Sequence, residues 1–158
     1  MSKGRYQRPW FLVSALNVFY ENRLIKRAVD IIIGMQQNSL EGVSFMTVNE
    51  RIAALRAKMK EKKIDAYLVP TDDFHASEYV GEYFKCRKYI TGFTGSAGRA
   101  VIMQDMAGLW TDGRYFIQAA AQLEGTGVEL FKMGEPGVPT VHKFLEEKLG
   151  EGMRLGFD

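Results

Sequence analysis

The sequence predicts an α/β domain, and two neighbouring segments carry this prediction. Thr47 and Glu50 have the spacing of a capping box, and apolar residues follow at helical intervals from Val48 to Met59, which predicts a helix to about Lys62. The run from Ala66 to Pro70 is unbroken, apolar and of strand length, which is typical of a strand buried on both faces. A helix that leads directly into a buried strand indicates helices layered on a sheet.

Strand and helix patterns alternate along the rest of the chain. They predict two strands joined in a hairpin around Gln104, then a helix with Thr111 or Asp112 as N-cap, a strand, a helix capped by Thr140 and a last strand. The predicted ranges are 99–104, 107–111, 115–123, 128–133, 141–149 and 154–158. The last strand runs to Asp158, so we expect the chain to end inside a strand and to be a fragment of a longer protein.

Composition limits the function classes. With 158 residues and 46% apolar content, the chain supports a single globular domain. The formal net charge is +2 and no long run of one sign occurs, so we expect neither nucleic acid nor a membrane as partner. The lone Cys86 excludes an internal disulfide and indicates a reducing, cytoplasmic location. We interpret Cys86 as a small, partly buried residue, since no histidine is close to it in sequence.

Residues 1–45 differ from residues 46–158. They carry six basic and three acidic side chains, against 15 and 16 in the remainder, so the excess of basic charge is N-terminal. The apolar run at 10–20 is too short to span a bilayer and lacks a signal-peptide cleavage site. Residues 40–42 can be encoded by a purine-rich ribosome-binding sequence upstream of Met46. Two hypotheses stay open for this N-terminal extension: a non-native translated leader, or a helical extension packed on the domain.

The glycine-rich stretch at 91–98 does not match a phosphate-binding loop. Gly92, Gly95 and Gly98 are three residues apart, which is neither the dinucleotide-binding spacing nor the P-loop ending with lysine. A tight structural loop is therefore expected, rather than the site of a nucleotide-binding enzyme.

The acidic loop after the first strand does not predict a metal site. Asp72, Asp73, His75 and Glu78 carry ligand-type side chains, but adjacent aspartates on an extended chain face opposite ways and no second cluster completes a shell. Asp72 and Asp73 are expected to be hydrogen-bonded loop residues instead. No nucleophilic triad can be assembled either, so the residues alone reveal no catalytic site.

Four motifs taken together resemble the N-terminal domain of Xaa-Pro aminopeptidases (aminopeptidase P). Their order and spacing match through residues 47–158, and the resemblance does not extend to residues 1–45. The motifs are His75-Ala-Ser-Glu-Tyr79, Arg87-x-Tyr89-Ile-Thr91-Gly92-Phe-Thr-Gly95-Ser-Ala-Gly98, Trp110-Thr-Asp112-Gly-Arg114-Tyr115 and Lys132-Met133-Gly134.

The resemblance implies that residues 46–158 form a creatinase/prolidase-type N-terminal domain, a mixed sheet flanked by helices with a ribonuclease H-like layout. In this family the chemistry belongs to a separate C-terminal domain, where carboxylates and a histidine hold two divalent metals, usually manganese. The metals activate water to cleave the peptide bond before proline. No segment of this chain matches those ligands, so the chain alone is expected to be catalytically silent and to bind no metal.

The resemblance also implies a role for this domain within a larger metallopeptidase. We expect it to contact its own C-terminal catalytic domain, to help form a homodimer, and to wall a cleft that admits short proline-containing peptides. A module of another class also stays open, namely a stand-alone peptide-binding or oligomerising protein without peptidase activity.

Candidate site residues can be named from these expectations. Arg87, His75 and Tyr89 are candidates for facing the substrate, since a cation there could hold a peptide carboxylate. The alternative for Arg87 is a surface or sheet-edge arginine paired with Glu78 or Glu82. A further group is expected to be structural: Gly92, Gly95, Gly98, Trp110, Asp112 and Arg114.

Overall fold

The computed structural model describes residues 46–72 and 80–158, apart from the side chain of Tyr83. The N-terminal extension therefore lies outside the described residues. The described helices are α1 (Val48–Lys62), α2 (Cys86–Thr91), α3 (Phe116–Leu123) and α4 (Val141–Lys148), with 3-10 turns at Glu82–Phe84 and Gly113–Tyr115. The strands are β1 (Ala66–Val69), β2 (Arg99–Met103), β3 (Ala107–Thr111), β4 (Glu129–Lys132) and β5 (Leu155–Phe157). The predicted α/β class is confirmed, whereas α2 was not predicted.

The five strands form one mixed sheet in the order β4-β3-β2-β1-β5. Strand β2 runs antiparallel to β1 and β3, whereas β5 is parallel to β1 and β4 is parallel to β3. The carboxyl ends of β1, β3, β4 and β5 therefore lie at one edge of the sheet, together with the beginning of β2. This carboxyl edge is where α/β sheets commonly carry their sites.

Helix α1 begins at the predicted capping box. The Thr47 hydroxyl accepts a hydrogen bond from the Glu50 backbone N–H at 3.3 Å, and Glu50 Oε2 accepts one from the Thr47 N–H at 2.7 Å. These bonds satisfy backbone donors that a helix start leaves free, and the hydrogen bonds that the Glu50 carboxylate accepts from Thr47 lower the pKa of Glu50. At the other end Lys63 adopts a left-handed conformation with φ of 56°, which ends the helix before β1.

The sheet has an apolar core on each face because side chains alternate along its strands. On one face, Ile102 of β2 packs with buried residues of α1, α2 and α3. On the other, Val101 packs with Trp110 and with buried residues of α4. The fully buried Trp110 stacks on Phe131 with ring centroids 4.0 Å apart, and its Nε1 donates to the Pro139 carbonyl at 2.9 Å. Both faces are covered, which leaves the loops at the sheet edges for function.

None of the described helices combines the length and hydrophobicity needed to cross a lipid bilayer.

Replacing Thr47 with alanine removes the acceptor of the capping box. We expect the free energy of unfolding to fall by about 1 kcal/mol, the usual value of such a cap. Urea denaturation followed by circular dichroism measures the change. Thr47→Ser keeps the hydroxyl and should stay within a few tenths of a kcal/mol of the wild type. Equal midpoints for wild type and Thr47→Ala would show that the cap does not stabilise α1.

Candidate functional site

Two adjoining depressions lie at the carboxyl edge. We name the first the arginine cavity; its volume is about 280 Å³, and its described lining is Thr71, Val80, Lys85, Arg87, Lys88, Thr94, Gly95 and Ser96. We name the second the edge groove; its volume is about 210 Å³, and its described lining is Thr71, Asp72, Ser96, Ala97, Gly98, Arg99, Thr111, Asp112 and Met133. Thr71 and Ser96 line both, so the loop at 92–98 separates two parts of one surface.

The glycines of this loop permit its close packing. Gly92 ends α2 with φ of 76°, a left-handed conformation that favours glycine. At Gly95 an added Cβ would lie 2.8 Å from a ring carbon of Tyr115, closer than real contacts allow. At Gly98 an added Cβ would lie 3.0 Å from the Trp110 carbonyl oxygen. The loop therefore packs against its own domain as closely as its backbone permits.

Arg87 joins the loop to β1 and α2. Its side chain is buried, with 4% of the residue exposed. Nε donates to Thr71 Oγ1 at 2.8 Å, Nη1 donates to the Phe93 carbonyl at 3.1 Å, and Nη2 donates to the Gly95 carbonyl. The guanidinium also lies over the Phe93 ring, 4.8 Å from its centroid. Arg87 therefore acts as a clamp on the loop.

This placement corrects one of the two sequence-based interpretations of Arg87. An exposed arginine paired with Glu82 is wrong, because Arg87 is buried and Glu82 forms its ion pair with Lys85. The physical reason is that the loop carbonyls need donors that no strand or helix supplies. Burial lowers the pKa of Arg87 to about 10, so the guanidinium is still charged at neutral pH.

Further hydrogen bonds fix the loop to its neighbours. Thr111 Oγ1 donates to the Ala97 carbonyl at 2.7 Å, and Thr71 Oγ1 donates to the Gly98 carbonyl at 2.6 Å. From α3, Gln122 Oε1 accepts from the Thr94 N–H at 2.9 Å. The Ser96 and Tyr115 hydroxyl oxygens are 2.7 Å apart. Side chains from α2, β3, α3, the 3-10 turn before α3 and the segment just after β1 thus hold the loop.

Of the three predicted substrate-facing residues, the structure describes Arg87 and Tyr89, and it does not place these two in one cavity. His75 lies outside the described residues, as do Asp73 and Glu78. Tyr89 packs against α1, where the Arg51 guanidinium lies 4.6 Å from the Tyr89 ring centroid and Arg51 Nη1 donates to the Tyr89 carbonyl at 2.8 Å. Burial raises the pKa of Tyr89. Tyr89 does not line the arginine cavity, so a shared role with Arg87 stays a prediction.

Asp112 and Arg114 form an ion pair at the edge groove. Asp112 caps the 3-10 turn that precedes α3, since its Oδ1 accepts from the Arg114 N–H at 3.1 Å. The Arg114 guanidinium donates Nε to Oδ1 at 2.9 Å and Nη2 to Oδ2 at 2.8 Å. These hydrogen bonds lower the pKa of Asp112 and raise the pKa of Arg114. The same aspartate therefore serves as turn cap and as ion-pair partner.

Several lining residues were not predicted from the sequence. Lys85 and Lys88 flank Arg87 in the chain, and Thr71 lies just after the first strand. The sequence signal for Thr71 was its position, because polar residues after a central strand lie at the carboxyl edge. This signal does not apply to Lys85 and Lys88, which do not follow a strand.

Comparison with known proteins identifies the class of this domain. Residues 51–158 match the family of the Creatinase/Prolidase N-terminal domain, so the chain belongs to this family. It is a creatinase N-terminal domain of aminopeptidase P homologues, which confirms the resemblance carried by the four motifs.

Three similar proteins define the match more closely. Aminopeptidase P2 of Arabidopsis thaliana is 45% identical over 115 residues, which are 72% of this chain and 16% of that protein. Probable Xaa-Pro aminopeptidase P of Neurospora crassa is 49% identical over 115 residues, or 72% of this chain and 17% of that protein. This chain therefore spans about a sixth of the length of these curated relatives.

The third is a crystal structure of X-prolyl aminopeptidase from Caenorhabditis elegans, described as a cytosolic enzyme with a di-nuclear active site. It superposes with a TM-score of 0.67 at 38% identity, over 72% of this chain and 20% of that chain. The residues that the structure describes do not fit such a metal centre. Within residues 46–72 and 80–158, no three histidine, cysteine, aspartate or glutamate side chains are grouped so that they could hold a metal ion.

The pKa of Asp112 can be checked directly. Its carboxyl carbon, followed by NMR during an acid titration, should show a midpoint below the ordinary value of about 3.9. Because the folded-state pKa is lowered, the ion pair contributes stability above about pH 4 that is lost as pH falls through the folded value. Arg114→Gln should move the midpoint back towards 3.9, whereas Arg99→Gln, in the same groove, should not. Equal midpoints in wild type and Arg114→Gln would contradict this assignment.

Removing the Arg87 clamp should loosen the loop. Arg87→Met leaves the Phe93 and Gly95 carbonyls without their donor, and each stranded acceptor costs about 1–3 kcal/mol. We expect a loss of at least about 2 kcal/mol in urea denaturation, and faster amide hydrogen exchange at residues 94–98. Lys88→Gln, at the exposed neighbouring position, should change stability by less than about 0.5 kcal/mol. Unchanged exchange in Arg87→Met would mean that the other hydrogen bonds suffice to hold the loop.

Proposed function

We propose that this chain supplies the non-catalytic N-terminal domain of a metal-dependent Xaa-Pro aminopeptidase and that its carboxyl edge walls the substrate cleft. The proposal rests chiefly on the match to aminopeptidase P relatives at 45–49% identity over about a sixth of their length. The described residues group no metal ligands, which supports catalysis by a different part of such a protein.

The carboxyl edge suits a cleft wall for a physical reason. A wall that selects substrates must keep its shape, and the loop at 92–98 is hydrogen-bonded to β3, α2, α3 and the segment just after β1. Positioning by rigid elements is worth several kcal/mol in catalysis, so a preformed wall contributes without reacting. Arg87, His75 and Tyr89 stay the proposed substrate-facing residues. Arg87 lines the arginine cavity at the carboxyl edge, while His75 lies outside the described residues.

The proposed partners are inferred from the same relatives. They are the C-terminal catalytic domain of the same protein with two divalent metals, manganese in our proposal, and short proline-containing peptides as substrates. We also propose a homodimer and a cytosolic location, the latter because the Caenorhabditis elegans relative is described as cytosolic.

The domain is proposed to begin at Met46, with residues 1–45 as leader or extension. The nucleotide sequence at codons 40–42 and the N-terminal peptide of the cellular protein decide between these two.

A second candidate function is a stand-alone peptide-binding or oligomerisation module. The observation that favours it is the exposure of two large apolar side chains, Ile117 at 89% and Met133 at 43%. Exposed apolar side chains are commonly found where proteins contact partners. The two proposals predict different codons after Asp158 in the gene. A continuing frame with metal-ligand motifs supports the peptidase, and an immediate stop codon supports the module.

The peptidase proposal is tested by expressing the complete reading frame and this 158-residue chain side by side. We expect the complete product to hydrolyse an Xaa-Pro peptide and not the matched Xaa-Ala peptide, to lose activity in EDTA, and to regain it with Mn²⁺. This chain should stay inactive with every metal. Activity of the chain by itself, or hydrolysis by the complete product that EDTA does not affect, would refute the proposal. Analytical ultracentrifugation of the complete product tests the homodimer.

A further inference from the structure

The described lining of the arginine cavity has an excess of positive charge. Its described lining includes Lys85, Arg87 and Lys88, and no aspartate or glutamate. Of the two described carboxylates near the cavity, Glu82 pairs with Lys85, and Asp72 lines the adjoining edge groove. Neither Arg87 nor Lys88 forms an ion pair with a described residue. Two cations, one buried and one exposed, therefore line a single cavity without a direct ion pair to a described residue, although the charge of Lys88 contributes to the lowered pKa of Glu82.

The Arg87 guanidinium has spare donors. It carries five N–H groups, and three of them donate to neutral oxygens, those of Thr71, Phe93 and Gly95. One N–H on each terminal nitrogen has no acceptor among the described residues. Burying a cation that is hydrogen-bonded only to neutral groups costs desolvation free energy, and an anion that enters the cavity offsets this cost. The lowered pKa of Arg87 agrees with this imbalance.

The described lining of the cavity also offers a neutral donor. The hydroxyl oxygens of Ser96 and Tyr115 are 2.7 Å apart and share one hydrogen bond. Between them they carry two hydroxyl protons, and their mutual bond uses only one. When Tyr115 donates this bond, the Ser96 hydroxyl proton is left for an acceptor in the cavity, because Ser96 lines it. The combination of guanidinium, ammonium and hydroxyl donors is typical of carboxylate recognition.

We propose that the arginine cavity binds a carboxylate, with Arg87 and Ser96 as hydrogen-bond donors and Lys88 as the exposed cation. A volume of about 280 Å³ suits the end of a short peptide rather than a large ligand. The identification of that carboxylate as the C-terminus of a substrate peptide rests on the proposed peptidase function. The carboxylate site itself does not, because the acidic side chain of a partner protein has the same chemistry.

The experiment uses this 158-residue chain and three probes at constant ionic strength. The probes are the tripeptide Ala-Pro-Ala with a free C-terminus, its C-terminal amide, and N-acetyl-glutamate amide, whose only carboxylate is on the side chain. We expect the free tripeptide to shift the Gly95 and Ser96 amide resonances saturably, and the tripeptide amide to leave them unchanged. Lys88→Gln should weaken binding about threefold, as for a partly screened charge. Lys143→Gln, an exposed lysine on α4, should not change it.

Each result of these binding measurements either supports or overturns the carboxylate site. Equal shifts with the free and the amidated tripeptide, or equal affinity in wild type and Lys88→Gln, overturn the carboxylate site. Shifts with N-acetyl-glutamate amide as large as with the tripeptide support the site and assign it to an acidic side chain. Arg87→Lys keeps the charge and should weaken binding at least about tenfold; if that variant does not fold, Lys88→Gln remains the test. Metal-dependent hydrolysis by the complete product with no carboxylate binding here would refute this inference and leave the proposed function standing.

Discussion

The structure at the carboxyl edge depends on one buried cation. The loop that joins α2 to β2 belongs to neither a helix nor a strand, so its carbonyls have no regular partners. The Arg87 guanidinium supplies donors to two of them and also donates to Thr71, just after β1. Arginine suits this position because its donors lie in one rigid plane and its charge persists when it is buried. A lysine would offer a single point of attachment and would lose its charge more readily.

The clamp determines what else the loop can do. With its carbonyls turned to Arg87, Thr71 and Thr111, the loop brings Gly95 so near to Tyr115 that no side chain fits there. The same packing sets Ser96 between the arginine cavity and the edge groove. The glycines thus let the backbone lie against the domain itself. The surface presented at the edge consists of the few polar side chains that this packing leaves exposed.

The sequence predicted what depends on neighbours in the chain. The capping box at Thr47, the apolar run of β1 and the hairpin of β2 and β3 are local patterns, and the structure confirms them. Helix α2 was not predicted, because six residues are less than two turns and show no clear periodicity. The aromatic stack of Trp110 on Phe131 depends on the pairing of β3 with β4, which no local pattern specifies.

The burial of Arg87 could not be predicted for the same reason. Its partners are Thr71, sixteen positions earlier, and two carbonyls six and eight positions later, and local composition does not distinguish a buried arginine from an exposed one. Once the fold is known, the consequence is direct. Arg87 is hydrogen-bonded to neutral oxygens, so no opposite charge among these partners cancels its electrostatic field. That field extends into a cavity whose described lining has no acid. The Arg87 side chain that holds the loop therefore also makes this part of the edge attractive to an anion. The rigidity of the loop and the positive charge of the cavity both depend on this one residue.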